Sequence, residues 1–107
     1  MATNTFKSYV LQGIGITPTT VYTGVGQATV IGLSVANTTA SAITVDVTLT
    51  KGATTVYLIK SCPVPVGSSA VVVGGDQKVV CEVGNTIKVT SSAAASVDVV
   101  ISMLEIT

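Results

Sequence analysis

The feature that most constrains this chain is a strict alternation of apolar and polar side chains along short segments. The clearest example is residues 43–50, ITVDVTLT, in which every second side chain is aliphatic. A period of two places the two kinds of side chain on opposite faces of a β-strand, whereas an amphipathic helix needs a period of about 3.6 residues. The segment therefore predicts a strand with one buried face and one solvent-facing side. The residues expected in the core are Ile43, Val45, Val47 and Leu49.

Similar segments recur along the chain and are separated by turn residues. We predict strands near residues 20–23, 28–36, 43–50, 54–60, 69–73, 78–82, 86–90 and 96–106. Glycine-containing turns are expected at residues 24–26, 51–52, 74–76 and 84–85, and a polar turn at 37–41. Pro63 and Pro65 restrict residues 63–67 to an edge strand or a connection, because proline cannot donate to a sheet ladder.

Short strands joined by short turns predict an all-β protein. Valine and threonine favour strands and together make up about a third of the residues. The expected architecture is a single antiparallel β-sandwich of about eight strands, with immunoglobulin-like or jelly-roll topology. Strand order is not readable from the pattern.

The beginning of the chain departs from this pattern. Phe6, Tyr9 and Leu11 lie in an apolar stretch interrupted by Gly13 and Gly15, without regular alternation. We therefore predict an irregular N-terminal arm, residues 1–19, followed by the sandwich domain, residues 20–107. Left in water the arm would expose aromatic surface, so it packs either on its own sandwich or on a neighbouring subunit.

The balance of charged and apolar residues predicts association. Only 9% of the residues are charged while 48% are hydrophobic, whereas an ordinary domain is about 25% charged. A monomer of this composition would show apolar surface to water, so we expect a homo-oligomer. The formal net charge is zero, which gives no attraction to nucleic acid or to an anionic membrane, so neither is an expected partner.

The last predicted strand is apolar on both faces. Val97, Val99, Ile101 and Met103 alternate with Val100 and Leu104. Because burial on both sides is what a subunit interface offers a strand, we predict an assembly interface there and on the arm. The residues assigned to this interface are Phe6, Tyr9, Leu11, Val100 and Leu104.

The sequence is poor in groups that perform chemistry. It contains no histidine, the residue that most often supplies a titrating group or a metal ligand. Asp46 and Asp98 are each flanked by valines on a predicted strand, so they are expected to be solvated outward side chains and not a catalytic pair. We therefore predict no enzymatic activity, no catalytic residue, no metal site and no cofactor.

Cys62 and Cys81 allow two interpretations. They are too few for a zinc site without histidine. They are either inert thiols or partners in a disulfide, within the chain or between chains. Alternation in the surrounding strand turns Cys81 inward, and the prolines after Cys62 hold that residue at a strand margin.

Several stretches of the chain resemble small virion structural proteins of tailed bacteriophages. They are residues 17–22 (TPTTVY), 30–40 (VIGLSVANTTA), 55–60 (TVYLIK), 63–78 (PVPVGSSAVVVGGDQK) and 86–99 (TIKVTSSAAASVDV). The resemblance extends over nearly the whole chain and carries no catalytic signature. It implies a capsid decoration (cement) protein that stabilises the virion through subunit contacts, or a neck, collar or tail-fibre component. The implied partners are the major capsid or the neck and tail proteins. The resemblance also implies a homotrimer or another homo-oligomer, because decoration proteins often sit on three-fold axes of the shell.

Two further expectations concern location and an alternative function. The N-terminus lacks the basic region and apolar stretch of a signal peptide, so we expect synthesis in a cytoplasm. The resemblance implies that this is the cytoplasm of a host bacterium and that the protein resides in the virion. The alternative function is a module that binds carbohydrate on a host surface. Sugar sites usually use aromatic platforms, and three Tyr and one Phe supply few.

Overall fold

The computed structural model describes residues 4–74 and 78–106 of the chain, and all of the regular structure in these residues is β-strand. There are nine strands, close to the predicted positions wherever a strand was predicted. They are β1 (Asn4–Ile14), β2 (Thr19–Thr23), β3 (Gln27–Asn37), β4 (Ile43–Lys51), β5 (Thr54–Val64), β6 (Ser69–Val73), β7 (Val79–Cys81), β8 (Thr86–Ser91) and β9 (Val97–Ile106). The turn predicted at residues 74–76 lies partly outside the described residues.

The strands form two antiparallel sheets that pack face to face. The five-stranded sheet has the order β1-β9-β3-β6, with β7 also paired to β3, and the four-stranded sheet has the order β2-β8-β4-β5. β6 pairs with residues 33–36 of β3, and β7 pairs with residues 28–30 in the same direction. β6 and β7 therefore behave as one interrupted strand. If β6 and β7 are counted as one strand, the sandwich has eight strands, and β8 and β9 become the seventh and eighth. The strand orders are then 1-8-3-6 and 2-7-4-5, which is the arrangement of a jelly roll. The predicted sandwich is confirmed, and of the two predicted topologies the jelly roll is the one found.

The core lies between the sheets and is almost entirely aliphatic. The predicted core residues are buried, and only Leu49 among them is partly buried. The buried ones are Val97, Val99, Ile101 and Met103 in β9 and Ile43, Val45 and Val47 in β4. β8 adds Ile87 and Val89, both completely buried. Burial of each such side chain stabilises the fold by roughly 1.5–3 kcal/mol relative to exposure. The alternation read from the sequence therefore identifies which face of each of these strands meets the core.

The prediction of an irregular N-terminal arm is wrong. β1 pairs with β9 in a continuous register from Asn4 opposite Ile106 to Leu11 opposite Val99, and only then is there a bulge. The first strand therefore belongs to the sandwich, and the division of the chain at residue 19 does not hold. The alternation was hidden because β1 reverses the usual pattern, with Lys7 and Tyr9 facing inward and Phe6 and Val10 facing outward.

The two aspartates on central strands face outward, as predicted, and each holds a bulge in the adjacent edge strand. The Asp98 carboxylate accepts a hydrogen bond from the backbone N–H of Gly13 at 3.1 Å. The Asp46 carboxylate accepts one from the N–H of Ser61 at 2.6 Å. Gly13 and Ser61 have φ of 67° and 53°, in the left-handed region that bulges commonly use. The two acids lie in different sheets and form no pair.

Candidate functional site

The outer face of the five-stranded sheet is apolar and exposed. Cross-strand register arranges its outward positions in two rows, and together we call them the apolar face. One row is Phe6, Leu104, Thr29 and Val80, and the other is Val10, Val100, Ser34 and Val71. The exposed fractions are 75% for Phe6, 69% for Val10 and 70% for Val71. Soluble monomers rarely leave so many neighbouring hydrocarbon side chains in water.

A furrow of small side chains separates the two rows. Ser8 lies opposite Ser102, which lies opposite Gly32 on the next strand. Two shallow depressions of about 310 and 300 Å³ lie along this part of the sheet. The apolar face is thus ridged rather than flat, with a shape into which side chains of another surface can fit.

The structure separates the five residues that the sequence assigned to an assembly interface. Phe6, Val100 and Leu104 lie on the apolar face, with Leu104 partly covered by its neighbours in the row. Tyr9 does not lie on the apolar face, because its ring is on the inner side of the sheet, 5.2 Å from that of Tyr22. Leu11 shares the inward parity of Tyr9 and lies at the margin of the sheet, so it is not part of the apolar face.

Three valines on the apolar face escaped the sequence analysis. They are Val10, Val71 and Val80. Val71 lies in a run of three valines and Val80 in a pair, so neither run indicates which member points outward. The strand register alone settles this, because it sets Val71 beside Ser34 and Val80 beside Thr29.

A buried carboxylate anchors β1 to the core, and the sequence analysis overlooked it. Glu105 is 2% exposed, and one of its oxygens accepts hydrogen bonds from Tyr22 Oη at 2.8 Å and Tyr9 Oη at 2.9 Å. Lys7 Nζ lies 3.8 Å from the other oxygen. The signal was a glutamate at an inward position of the last strand, in phase with Met103.

The surroundings of Glu105 favour its ionised form. Burial alone raises the pKa of this carboxyl, but the hydrogen bonds from Tyr22 and Tyr9 and the positive charge of Lys7 outweigh it, so the pKa lies below its ordinary value. Conversely, the hydrogen bond that Tyr9 donates to Glu105 raises the pKa of Tyr9. The pKa of Tyr22 is raised mainly by burial and also by its own hydrogen bond to Glu105. The cluster holds a fixed charge between two protonated phenols, and this arrangement is structural.

The outer face of the four-stranded sheet is polar. Two rows of outward side chains cross this sheet, and together we call them the polar face. One row is Thr20, Lys88, Thr48 and Tyr57, and the other is Thr23, Thr86, Thr50 and Thr55. A groove of about 390 Å³ lies over this face, bounded on one side by Ile16 and Pro18. Tyr57 lines the groove and is 53% exposed, and Lys60 Nζ lies 4.9 Å from its ring centre.

The two cysteines are free thiols at opposite ends of the sandwich. Cys81 pairs with Ala28 at the start of β3, whereas Cys62 lies two residues before Val64, whose carbonyl accepts a hydrogen bond from Asn37 at the end of β3. Nine residues of strand separate Ala28 from Asn37, about 30 Å. A disulfide needs Cα atoms within about 7 Å, so the expectation of a bridge within the chain is wrong.

The thiols differ in their surroundings. Cys81 is buried, as predicted, and burial together with the nearby charge of Glu82 raises its pKa, so that the thiol stays protonated. Cys62 is partly exposed on the edge strand β5. A bond between Cys62 residues of two chains stays a prediction.

Neither a metal centre nor a membrane-spanning helix is found in the part of the chain that the structure describes. Over residues 4–74 and 78–106, no three His, Cys, Asp or Glu side chains come together as metal ligands would. The same residues contain no helix that is long and apolar enough to cross a bilayer.

Comparisons of the chain with models of protein families, with curated proteins and with solved structures found no match.

Proposed function

We propose that this chain is a structural protein of a bacteriophage particle, a capsid decoration protein that stabilises the virion through subunit contacts. The observation that supports this best is the apolar face, where Phe6, Val10 and Val71 are each more than two-thirds exposed. Covering a Phe or Val side chain in an interface contributes roughly 1.5–3 kcal/mol. A face with several of them gains much by docking on another protein.

Three further considerations agree with this proposal. The sequence resembles small virion proteins of tailed phages along most of its length. Jelly rolls are frequent among viral capsid domains, although the same fold also serves lectins, so the fold alone does not decide between these roles. The low charge suits a protein whose outer surfaces are mostly covered in an assembly.

The proposal has consequences for partners and place. The partner of the apolar face is another virion protein, the major capsid protein for a decoration protein or a neck or tail protein in the alternative placement. The chain itself forms a homo-oligomer, resides in the virion and performs no catalysis. Neither nucleic acid nor membrane is a proposed partner.

The test is binding to particles of the phage that encodes the chain, after removal of its native copies. The purified protein is expected to sediment with these particles, and Val100→Lys is expected to abolish binding without changing the melting temperature. Thr48→Lys places the same charge on the polar face and is the matched control, expected to bind normally. Normal binding by the Val100 variant, or absence of the wild-type protein from virions, would contradict the proposal. Cryo-microscopy of the particle then distinguishes shell from neck and tail.

The groove on the polar face favours one second candidate, binding of a host-surface carbohydrate. Tyr57 offers a half-exposed ring, and Asp46, Lys88 and Thr90 supply hydrogen-bonding groups around the same groove. An aromatic plane with nearby polar groups is the combination by which proteins hold sugars. Lys60 already lies over the Tyr57 ring and would have to share or leave that position.

Calorimetric titration with a panel of host-surface oligosaccharides tests this candidate. Tyr57→Ala is expected to abolish the binding heat, while Phe6→Ala, which removes an aromatic ring from the apolar face, is expected to leave it unchanged. Absence of binding heat with every sugar of the panel would reject carbohydrate recognition and leave the assembly role as the single proposal.

A further inference from the structure

The free edge of β1 is the least protected strand edge in the part of the chain that the structure describes. There β1 pairs only with β9, and its pairing is regular over eight residues, from Asn4 to Leu11. Every second residue of such a strand directs its backbone N–H and C=O away from the sheet. This edge therefore offers a ladder of hydrogen-bonding groups to another strand.

Two of the devices that usually guard an edge, proline and a mid-strand bulge, are lacking along this stretch, and one charged residue, Lys7, is present. Proteins blunt edges with proline, charge or a mid-strand bulge. β5, the other eleven-residue edge strand, has Lys60, Pro63 and the left-handed Ser61. The bulge of β1 comes only after Leu11, at its end, and the amine of its single charged residue, Lys7, lies near the Glu105 carboxylate. The outer edge of β1 is therefore open to pairing with another strand.

The outward side chains of β1 are self-complementary. In chain order they are Asn4, Phe6, Ser8 and Val10, followed by the exposed Gln12 at the start of the bulge. Their chemical classes are an amide, an apolar group, a hydroxyl, an apolar group and an amide. The series has the same chemical classes in either direction. Two copies placed antiparallel about Ser8 would set Phe6 opposite Val10 of the second copy and Asn4 opposite Gln12 of the second copy, and such directly opposed like pairs stabilise a sheet.

Neighbouring registers are chemically worse. On the other side of the strand, the register about Ser8 sets Lys7 opposite Tyr9 of the second copy, which suits a cation beside a ring. A register about Lys7 would oppose two lysines and set Phe6 against Ser8. A register about Tyr9 would set Phe6 against Gln12. The side chains of β1 therefore select one register among those that keep the two sheets in phase.

We propose that two copies of this chain pair through β1, antiparallel and centred on Ser8, to form a two-fold symmetric dimer. The two five-stranded sheets become one continuous sheet, with both apolar faces on the same side, because a two-fold axis normal to the sheet preserves the facing of every side chain. The inference goes beyond the proposed virion role, since it concerns the edge of the sheet and requires only the purified protein.

Charge at the symmetry axis tests the register in solution. The wild-type protein is expected to be a dimer at tens of micromolar by sedimentation velocity. Ser8→Lys and Ser8→Glu each set two like charges opposite one another and are expected to be monomers. Ser8 is exposed, so both variants are expected to keep the wild-type melting temperature within a few degrees. An equimolar mixture of the two variants is expected to recover the dimer, because Lys then faces Glu.

Cross-linking gives an independent measure. In a Cys62→Ser background, Ser8→Cys sets two thiols on facing strands at Cα distances of about 4.5–5.5 Å, within reach of a disulfide. It is expected to give a dimer band on non-reducing gels. Gln12→Cys faces Asn4 in this register and is the matched control, expected to stay monomeric on the same gel.

The outcomes that would overturn the proposal are a monomeric wild-type protein, a trimer, or a dimer that persists in both charge variants. These results are distinct from failure of the virion role. A dimer that ignores phage particles would support edge pairing and contradict decoration, whereas a monomer that binds particles through Val100 would do the reverse.

Discussion

The two sheets of this protein distribute the same kinds of residue in opposite ways. In the four-stranded sheet the hydrocarbon faces inward, and the polar face consists of threonine hydroxyls, Lys88 and Tyr57. In the five-stranded sheet, valines and Phe6 face outward, while a glutamate is held in the interior. Both sheets bury an aliphatic layer. The sheets differ in the side chains of their outer faces and in the buried Glu105, which lies in the five-stranded sheet.

The weakly charged chain thus divides its surface into a polar and an apolar outer face. The polar face is adequately hydrated through its hydroxyls, and its cross-strand pairs include the Thr50 and Thr55 hydroxyls, 2.9 Å apart. The apolar face gains nothing from water and lies next to the free edge of β1. In the proposed function the partner covers the five-stranded sheet and solvent covers the four-stranded sheet.

The largest effect is expected at the carboxylate inside the five-stranded sheet. Glu105→Ala removes the acceptor of two tyrosine hydroxyls and leaves them without a partner, at a cost of about 3 kcal/mol in the free energy of unfolding. Thr48→Ala on the polar face should change it by less than about 0.5 kcal/mol. Urea denaturation measures both. Equal changes in the unfolding free energy for the two variants would mean that the Glu105 carboxylate does not stabilise the fold.

The same carboxylate should give stability a pH dependence. Its pKa is lower in the folded protein than the ordinary 4.5, so the unfolded chain binds its proton more readily. The stabilisation is therefore complete above about pH 4.5 and is lost as the pH falls through the lower folded-state value. Glu105→Gln should flatten the acid limb of the stability curve below about pH 4.5. An unchanged acid limb in this variant would assign the dependence to other acids.

The two bulges should respond alike although they lie in opposite sheets. Asp98→Ala frees the N–H of Gly13 and Asp46→Ala frees that of Ser61, and each should cost about 1 to 1.5 kcal/mol. The asparagine variants keep an acceptor oxygen and should cost less. A large difference between the two alanine variants, seen by thermal melting, would show that only one sheet depends on its bulge.

Backbone conformation at the bulges should give effects of opposite sign. Ser61 is an L-residue at φ 53°, so Ser61→Gly should relieve strain and stabilise the protein by up to about 1 kcal/mol. Gly13→Ala meets no atom within 4 Å, yet it should destabilise by about 1 kcal/mol through φ alone. Thermal melting checks both, and stabilisation by Gly13→Ala would contradict the left-handed assignment.

The smallest effect on stability is expected from exchanging the outer faces. Val10→Thr with Val100→Thr should alter the unfolding free energy by less than about 0.5 kcal/mol per site, while lowering binding of an apolar dye. Thr48→Val with Thr90→Val on the polar face should raise dye binding. If neither pair of substitutions changes dye binding relative to the wild-type protein, the two outer faces do not differ in hydration.

The sequence alone determined the elements of this fold. Strands appear where polar and apolar residues alternate, because the strand period of two makes the core face visible in segments such as residues 43–50. Turns appear at glycine and asparagine, and Pro63 indicated an edge strand correctly. The outward position of Val100 and the inward position of Cys81 are also readable, since each depends only on local parity.

What the tertiary structure decided are the properties that arise between strands. Pairing with β9 turned the supposed arm into β1 and placed Tyr9 beside Glu105, residues 96 positions apart in the chain. Strand order selected the jelly roll and put Cys62 and Cys81 at opposite ends. Register gathered Val10, Val71 and Val80 onto one face. None of these relations leaves a local mark, because the alternation of a strand records which side is buried but not which strand lies beside it.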